Sequence, residues 1–168
     1  MNPKVSIIMG STSDLPVMER AAALLNEFQV PFEICALSAH RTPEAVEDFA
    51  RNAEARGVEV IIAGAGMAAH LPGVIASMTT LPVVGVPISS SLDGIDALLA
   101  IVQMPPGIPV ATVGINAAQN AALLALQVLA KSDNTLKIRF KDYKENLKTK
   151  IVDANRELAE LKYEFKVN

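Results

Sequence analysis

Five short runs rich in β-branched residues, each followed by a stretch with helical spacing, constrain this chain more than any other feature. The runs are Val5–Met9, Phe32–Leu37, Val58–Ala63, Leu81–Val86 and Ile108–Gly114. They read as nearly continuous apolar segments without alternation, the pattern of strands covered on both faces. Helical patterns begin at Asp14-Leu15-Pro16 and at Thr42-Pro43-Glu44, where a small polar residue stands before a proline of the first turn. Gly57 is placed to close the second of these. Further helices are expected near Ala68–Met78, Gly94–Val102 and Ala117–Ala130. The alternation predicts an α/β fold, a three-layer, doubly wound parallel sheet with right-handed crossovers.

The 168 residues suffice for one domain, with no need of a disulfide or metal staple. The single cysteine, Cys35, excludes a disulfide framework and a cysteine-rich zinc site. Within the expected domain, residues 1–131 read as an α/β catalytic part and residues 132–168 as a helical extension. After Ser132 the apolar residues Leu136, Phe140, Tyr143, Leu147, Ile151, Ala154, Leu158, Leu161 and Phe165 recur every three or four positions. That is one stripe of a long amphipathic helix. A helix of about 30 residues would run to about 45 Å. It is expected to reach a neighbouring subunit, the alternative being that it lies along its own domain with a frayed end.

Charge divides the chain in the same place. Residues 1–130 carry 5 basic and 11 acidic side chains, whereas residues 131–168 carry 10 and 7. Between Val60 and Ala130 the only formal charges are Asp93 and Asp96. So uncharged a stretch suits a homo-oligomer, since obligate interfaces resemble a domain core cut in half; a soluble surface of Ala, Ser and Thr is the plainer alternative. The net charge of −3 argues against nucleic acid as a partner. No apolar run reaches the length of a membrane helix without Gly or Pro. The opening Met1-Asn2-Pro3-Lys4 leads into an apolar run too short for a signal peptide, so the expected setting is cytoplasmic.

In an open parallel sheet, ligands bind beyond the carboxyl ends of the strands. Three loops there are informative: Gly10-Ser11-Thr12-Ser13-Asp14, Ser38-Ala39-His40-Arg41-Thr42-Pro43, and Gly64-Ala65-Gly66-Met67-Ala68-Ala69-His70-Leu71-Pro72-Gly73. Both histidines of the chain fall in them. Arg41 beside Ser38 and opposite Ser13 suits a phosphate monoester, because a guanidinium and hydroxyls all donate. Asp14 suits vicinal ribose hydroxyls. The combination points to a ribose phosphate. No Walker A sequence and no full dinucleotide spacing occurs, which disfavours NTP hydrolysis and nicotinamide chemistry. His40 and His70 lack the neighbouring ligands of a metal site. Plainer roles stay open: Ser11, Ser13 and Asp14 as helix caps, Gly64 and Gly66 as turn residues, and either histidine as a polar loop residue.

These loops resemble the PurE family of purine biosynthesis. The matching segments are Met9–Asp14, Ser38–Pro43, Ala63–Gly66 and Ala68–Gly73. Gly85-Val86-Pro87, Ile101–Pro105 and Asn120–Leu124 fit as well. The resemblance runs from about residue 4 to residue 131 and does not extend into the tail. The Ala-Ala-His-Leu-Pro-Gly stretch and Arg41 resemble class I members rather than class II carboxylases. The class I enzymes interconvert N5-carboxyaminoimidazole ribonucleotide and 4-carboxy-5-aminoimidazole ribonucleotide; the class II enzymes use free CO2 and usually carry Lys at the Arg41 position. Many class I members have Gly where this chain has Met67.

The resemblance implies a flavodoxin-like sheet, an octamer and no cofactor. It puts phosphate on Ser13, Ser38 and Arg41, and ribose hydroxyls on Asp14. Ser11, His40, Gly64 and Ala65 then lie near the migrating carboxyl, with His70 and Leu71 bordering the imidazole. His40 is the expected general acid/base, because an imidazole titrates near neutral pH. A class II carboxylase and a non-enzymatic nucleotide-binding module are the alternatives.

Overall fold

A computed structural model describes residues 1–167. Its chain divides into a unit spanning Met1–Leu129 and a second one beginning at Ala130. In the first unit the order is β1 (Val5–Met9), α1 (Leu15–Glu27), β2 (Phe32–Ala36), α2 (Pro43–Asn52), β3 (Val60–Gly66), α3 (Leu71–Ala76), β4 (Val83–Ile88), α4 (Ile95–Val102), β5 (Ala111–Thr112) and α5 (Ala118–Leu129). The five strands form one sheet of order β2-β1-β3-β4-β5. Every pairing is parallel, with Ile8 opposite Ala63 and Ile62 opposite Val84.

Strand order reverses between β1 and β3, and that reversal sets the layers. Right-handed crossovers running in opposite directions must lie on opposite faces. Accordingly α1 and α5 pack together on one face, while α2, α3 and α4 cover the other. Ile8, Ile61 and Ala63 meet Val46, Phe49, Ile75 and Ile101 on the second face. Neighbouring Ile7 and Ile62, equally buried, point the other way because side chains alternate along a strand.

The central strands β1, β3 and β4 are buried nearly throughout. The expectation of burial on both faces fails for β2, where Glu33, Ile34 and Cys35 alternate between partial burial and exposure. As an edge strand, β2 has a neighbour on one side only. The fifth run shrinks to the two residues of β5, on the opposite edge. Gly57 closes the second helical segment as expected, at φ 96°, after a short 3-10 turn at Glu54–Arg56. The third helix is shorter than predicted because Ala68-Ala69-His70 form the loop that carries the chain to it.

The second unit is dominated by α6 (Asn134–Glu160). Asp133 caps its start, with Oδ1 accepting from the Leu136 N–H at 2.9 Å. The helix stops short of the predicted stripe: Leu161 is extended, and Lys166 Nζ donates to the carbonyls of Leu158 and Ala159 at 2.7 and 2.8 Å. Those two bonds satisfy carbonyls that the last turn leaves open. Among the described residues no helix is long and apolar enough to cross a membrane.

Candidate functional site

The β1–β3 reversal opens a crevice at the carboxyl ends of the strands, where ligands bind in such sheets. A cleft of about 550 Å³ lies there. Of the residues singled out in the sequence, Ser11, Ser13, Asp14, Ser38, His40, Arg41, Ala65, His70 and Leu71 all line it. Gly64 does not. It sits inside β3, where a side chain would come within 3.1 Å of Ile88 Cδ1 and collide with Met18. Its smallness serves packing beneath the cleft. Ser90, Gly66 and Met67 line the cleft as well. Ser90 belongs to the Ser89-Ser90-Ser91 loop after β4, so position at a strand's carboxyl end was the available signal.

The first loop turns through a short 3-10 segment, Thr12–Asp14, before α1. Ser11 caps that segment, its Oγ accepting from the Ser13 N–H at 3.3 Å. Asp14 stands at the N-cap of α1 without a side-chain capping bond, and it lines the cleft. Burial pushes its pKa above the ordinary aspartate value. Backbone bonds from Ser11 and Gly10, the Ser13 side chain and the charge of Arg41 oppose that rise.

The second loop is tied by its own side chains. Thr42 does not cap α2 with its side chain, as its sequence position suggested. Instead the Ser38 N–H donates to Thr42 Oγ1 at 2.9 Å, and Thr42 Oγ1 donates to the Ser38 carbonyl at 3.1 Å. Arg41 then spans two loops: Nε donates to Ser38 Oγ at 3.3 Å and Nη2 to the Gly10 carbonyl at 3.0 Å. A cationic fork with hydroxyls beside it is thus held in place by the protein's own bonds, an arrangement chemically suited to an anion.

The third loop leaves β3 at Gly66, where an added side chain would lie 3.0 Å from the Ile88 carbonyl oxygen. Met67 follows with φ 54°. The Ala69 N–H donates to the Met67 carbonyl and the His70 N–H to the Ala68 carbonyl, both at 2.8 Å. These tight turns swing His70 back toward the second loop. His40 Nε2 and His70 Nδ1 stand 2.9 Å apart, with ring centroids 5.0 Å apart and planes at 78°. One nitrogen must donate and the other accept, so one N–H lies in the hydrogen bond that joins the rings. Residues 30 positions apart in sequence thereby form one hydrogen-bonded imidazole pair beside one cationic, hydroxyl-rich wall. Among the described residues no group of three or more His, Cys, Asp or Glu side chains is arranged to hold a metal ion.

Comparison with known proteins identifies the family. The profile of the AIR carboxylase family matches residues 4–150. It reaches past residue 131, where the sequence resemblance was expected to end, and takes in the first part of α6. The N5-carboxyaminoimidazole ribonucleotide mutase of Pyrococcus abyssi is 62% identical over 147 residues, covering 87% of this chain and 84% of its own. The protein of that name from Thermotoga maritima is 52% identical over 167 residues, 99% of this chain and 98% of its own, so the tail has a counterpart there. The crystal structure of Treponema denticola PurE superposes with a TM-score of 0.84 at 32% identity, covering 93% of this chain and 98% of that one. With a family profile spanning most of its length and relatives more than half identical along nearly all of it, the chain belongs to the AIR carboxylase (PurE) family.

Proposed function

We propose that this chain is an N5-carboxyaminoimidazole ribonucleotide mutase, moving CO2 from the exocyclic nitrogen of the substrate to ring carbon C4. The observation that carries the reading is the hydrogen-bonded His40–His70 pair in the same cleft as Arg41, Ser38, Ser13 and Asp14. A ribonucleotide has a phosphate for Arg41, Ser38 and Ser13 and vicinal hydroxyls for the Asp14 carboxylate. Anchored so, it brings its imidazole beneath the two histidines, with Leu71 at its border.

The chemistry asks little of the protein beyond holding, enclosing and moving protons. The carbamate N–C bond breaks, CO2 departs, and the nitrogen keeps the electron pair and takes a proton from His40. The freed aminoimidazole is electron-rich at C4, which attacks CO2; the C4 proton then returns to His40. Protons and electrons balance with no added reagent. Positioning CO2 against C4 is worth up to about 7–11 kcal/mol. Ala65 and Gly66 allow backbone to approach the carboxyl closely, and Ser11 offers a hydroxyl beside it. His70, bonded to His40, holds its tautomer and relays the shared proton.

The family profile bears the name of a carboxylase, which supports a second reading: carboxylation of aminoimidazole ribonucleotide by free CO2. An ultraviolet assay separates the two. The mutase turns over the carbamate substrate with no added bicarbonate. A chain that is inert toward the carbamate, yet turns over aminoimidazole ribonucleotide once bicarbonate is supplied, is the carboxylase. Binding of ribonucleotide without turnover of either would leave a binding module.

A homo-oligomer, an octamer by family resemblance, fits the surface. Leu92, Ile95, Leu99 and Val102 form an exposed apolar row along and just before α4, and α6 carries a second one. We assign α6 to packing on a neighbouring subunit and the enzyme to the cytoplasm.

A further inference from the structure

Among the described residues, five other than glycine adopt positive φ, and of these only Met67 lines the cleft. Its backbone has little choice. Gly66 before it is pressed against the Ile88 carbonyl, and the turns after it must deliver His70 to His40. A left-handed residue there carries strain that a side chain makes worse. Yet the side chain is a long thioether, 58% exposed at the rim. The rest of the lining is Ser, Ala, Gly, two histidines, Arg41, Asp14 and the well-buried Leu71. The cleft thus has polar partners for a sugar phosphate and one large exposed apolar group.

We propose that Met67 is a specificity-determining residue whose thioether covers the face of the heteroaromatic ring of the bound ribonucleotide. The inference rests on the ribonucleotide reading given above. A flat, electron-rich ring pinned by its sugar phosphate needs an apolar, polarizable surface, and methionine sulfur makes favourable contacts with aromatic rings. The chemical consequence is selective. Met67 adds affinity for ligands that carry the ring and none for the sugar phosphate alone.

The test compares aminoimidazole ribonucleotide with ribose 5-phosphate by calorimetric titration of the full-length wild type, Met67→Ala and Met67→Leu. In Met67→Ala the ribonucleotide should bind about 3–10-fold more weakly while ribose 5-phosphate stays within about twofold. Met67→Leu, which keeps an apolar wall on the same backbone, should behave like wild type toward both. Equal losses for the two ligands, or none for either, would overturn the assignment. The binding comparison reads Met67 separately from turnover. A wild type that fails the ultraviolet assays but loses ring-dependent affinity in Met67→Ala retains the wall and loses the mutase. A wild type that turns over with an unaltered Met67→Ala retains the mutase and loses the wall.

Discussion

Helices α1 and α6 are built on the same three-and-four spacing and end in opposite circumstances. In α1 the stripe Met18, Ala21, Leu24 and Leu25 is buried between the sheet and α5. In the 27 residues of α6 only Leu136 is buried, and Ile138, Leu147, Ile151, Val152 and Leu158 stay exposed. Periodicity therefore reports that a helix has an apolar face and leaves open what covers it. An isolated helix is marginal in water and draws most of its stability from packing. Helix α6 gets a cap from Asp133, surface ion pairs such as Lys148–Glu145 at 2.6 Å, and the closing bonds of Lys166. Exposed pairs of this kind are worth about 0–1 kcal/mol each. The contrast fits the proposal that chemistry belongs to the first unit and assembly to the second.

The largest effect should come from the imidazole pair. His40→Asn should lose about 10²–10⁴-fold in kcat, the range of a removed general acid/base, while aminoimidazole ribonucleotide binding and subunit mass are kept. Near-normal turnover would take His40 out of the mechanism. Arg41→Ala comes next. It removes charge-assisted bonds worth about 1.5–3 kcal/mol, so the nucleotide should bind about 10–100-fold more weakly in calorimetry, with an unphosphorylated riboside unaffected. Unchanged nucleotide affinity would reject the phosphate assignment.

The second unit is probed by charging its exposed stripe. Leu147→Lys with Ile151→Lys should lower the mass measured by light scattering and leave the helical content of the chain in place. An unaltered mass would show that this face of α6 is no interface and would break the comparison drawn above. The smallest effect concerns Asp14. Its raised pKa means that the folded state holds the proton more tightly than the unfolded chain does. Its contribution to stability is therefore present at acid pH and is lost as pH rises above the ordinary aspartate value. Asp14→Asn should raise the melting temperature relative to wild type more at pH 7 than at pH 4, while weakening ribonucleotide binding. A difference independent of pH would mean that burial does not govern this carboxylate.

Much of the fold was readable because strands and crossover helices leave local marks. Proline after a polar residue placed the starts of α1 and α2, and Gly57 marked the left-handed exit of the second. The loops of the candidate site were readable because a parallel sheet sends every strand's carboxyl end to one edge. The marks were weakest where long-range contact decides. Phe32–Leu37 reads like a central strand and is an edge; Gly64 reads like a loop residue and is a strand residue packed against Met18. Thr42 reads like a cap and instead ties its loop to Ser38.

The order of apolar runs, the hydroxyls and Arg41 in the second loop, and both histidines at strand ends were determined by the sequence alone. These follow from spacing and side-chain chemistry, which are local. Only the tertiary structure decided that His40 and His70 share one hydrogen bond, that Arg41 bridges to Gly10, and that Met67 is held left-handed at the rim. Each of those depends on how far β1, β2 and β3 separate their loops and on the room left beside Ile88. Such distances are set by packing between segments far apart in the chain.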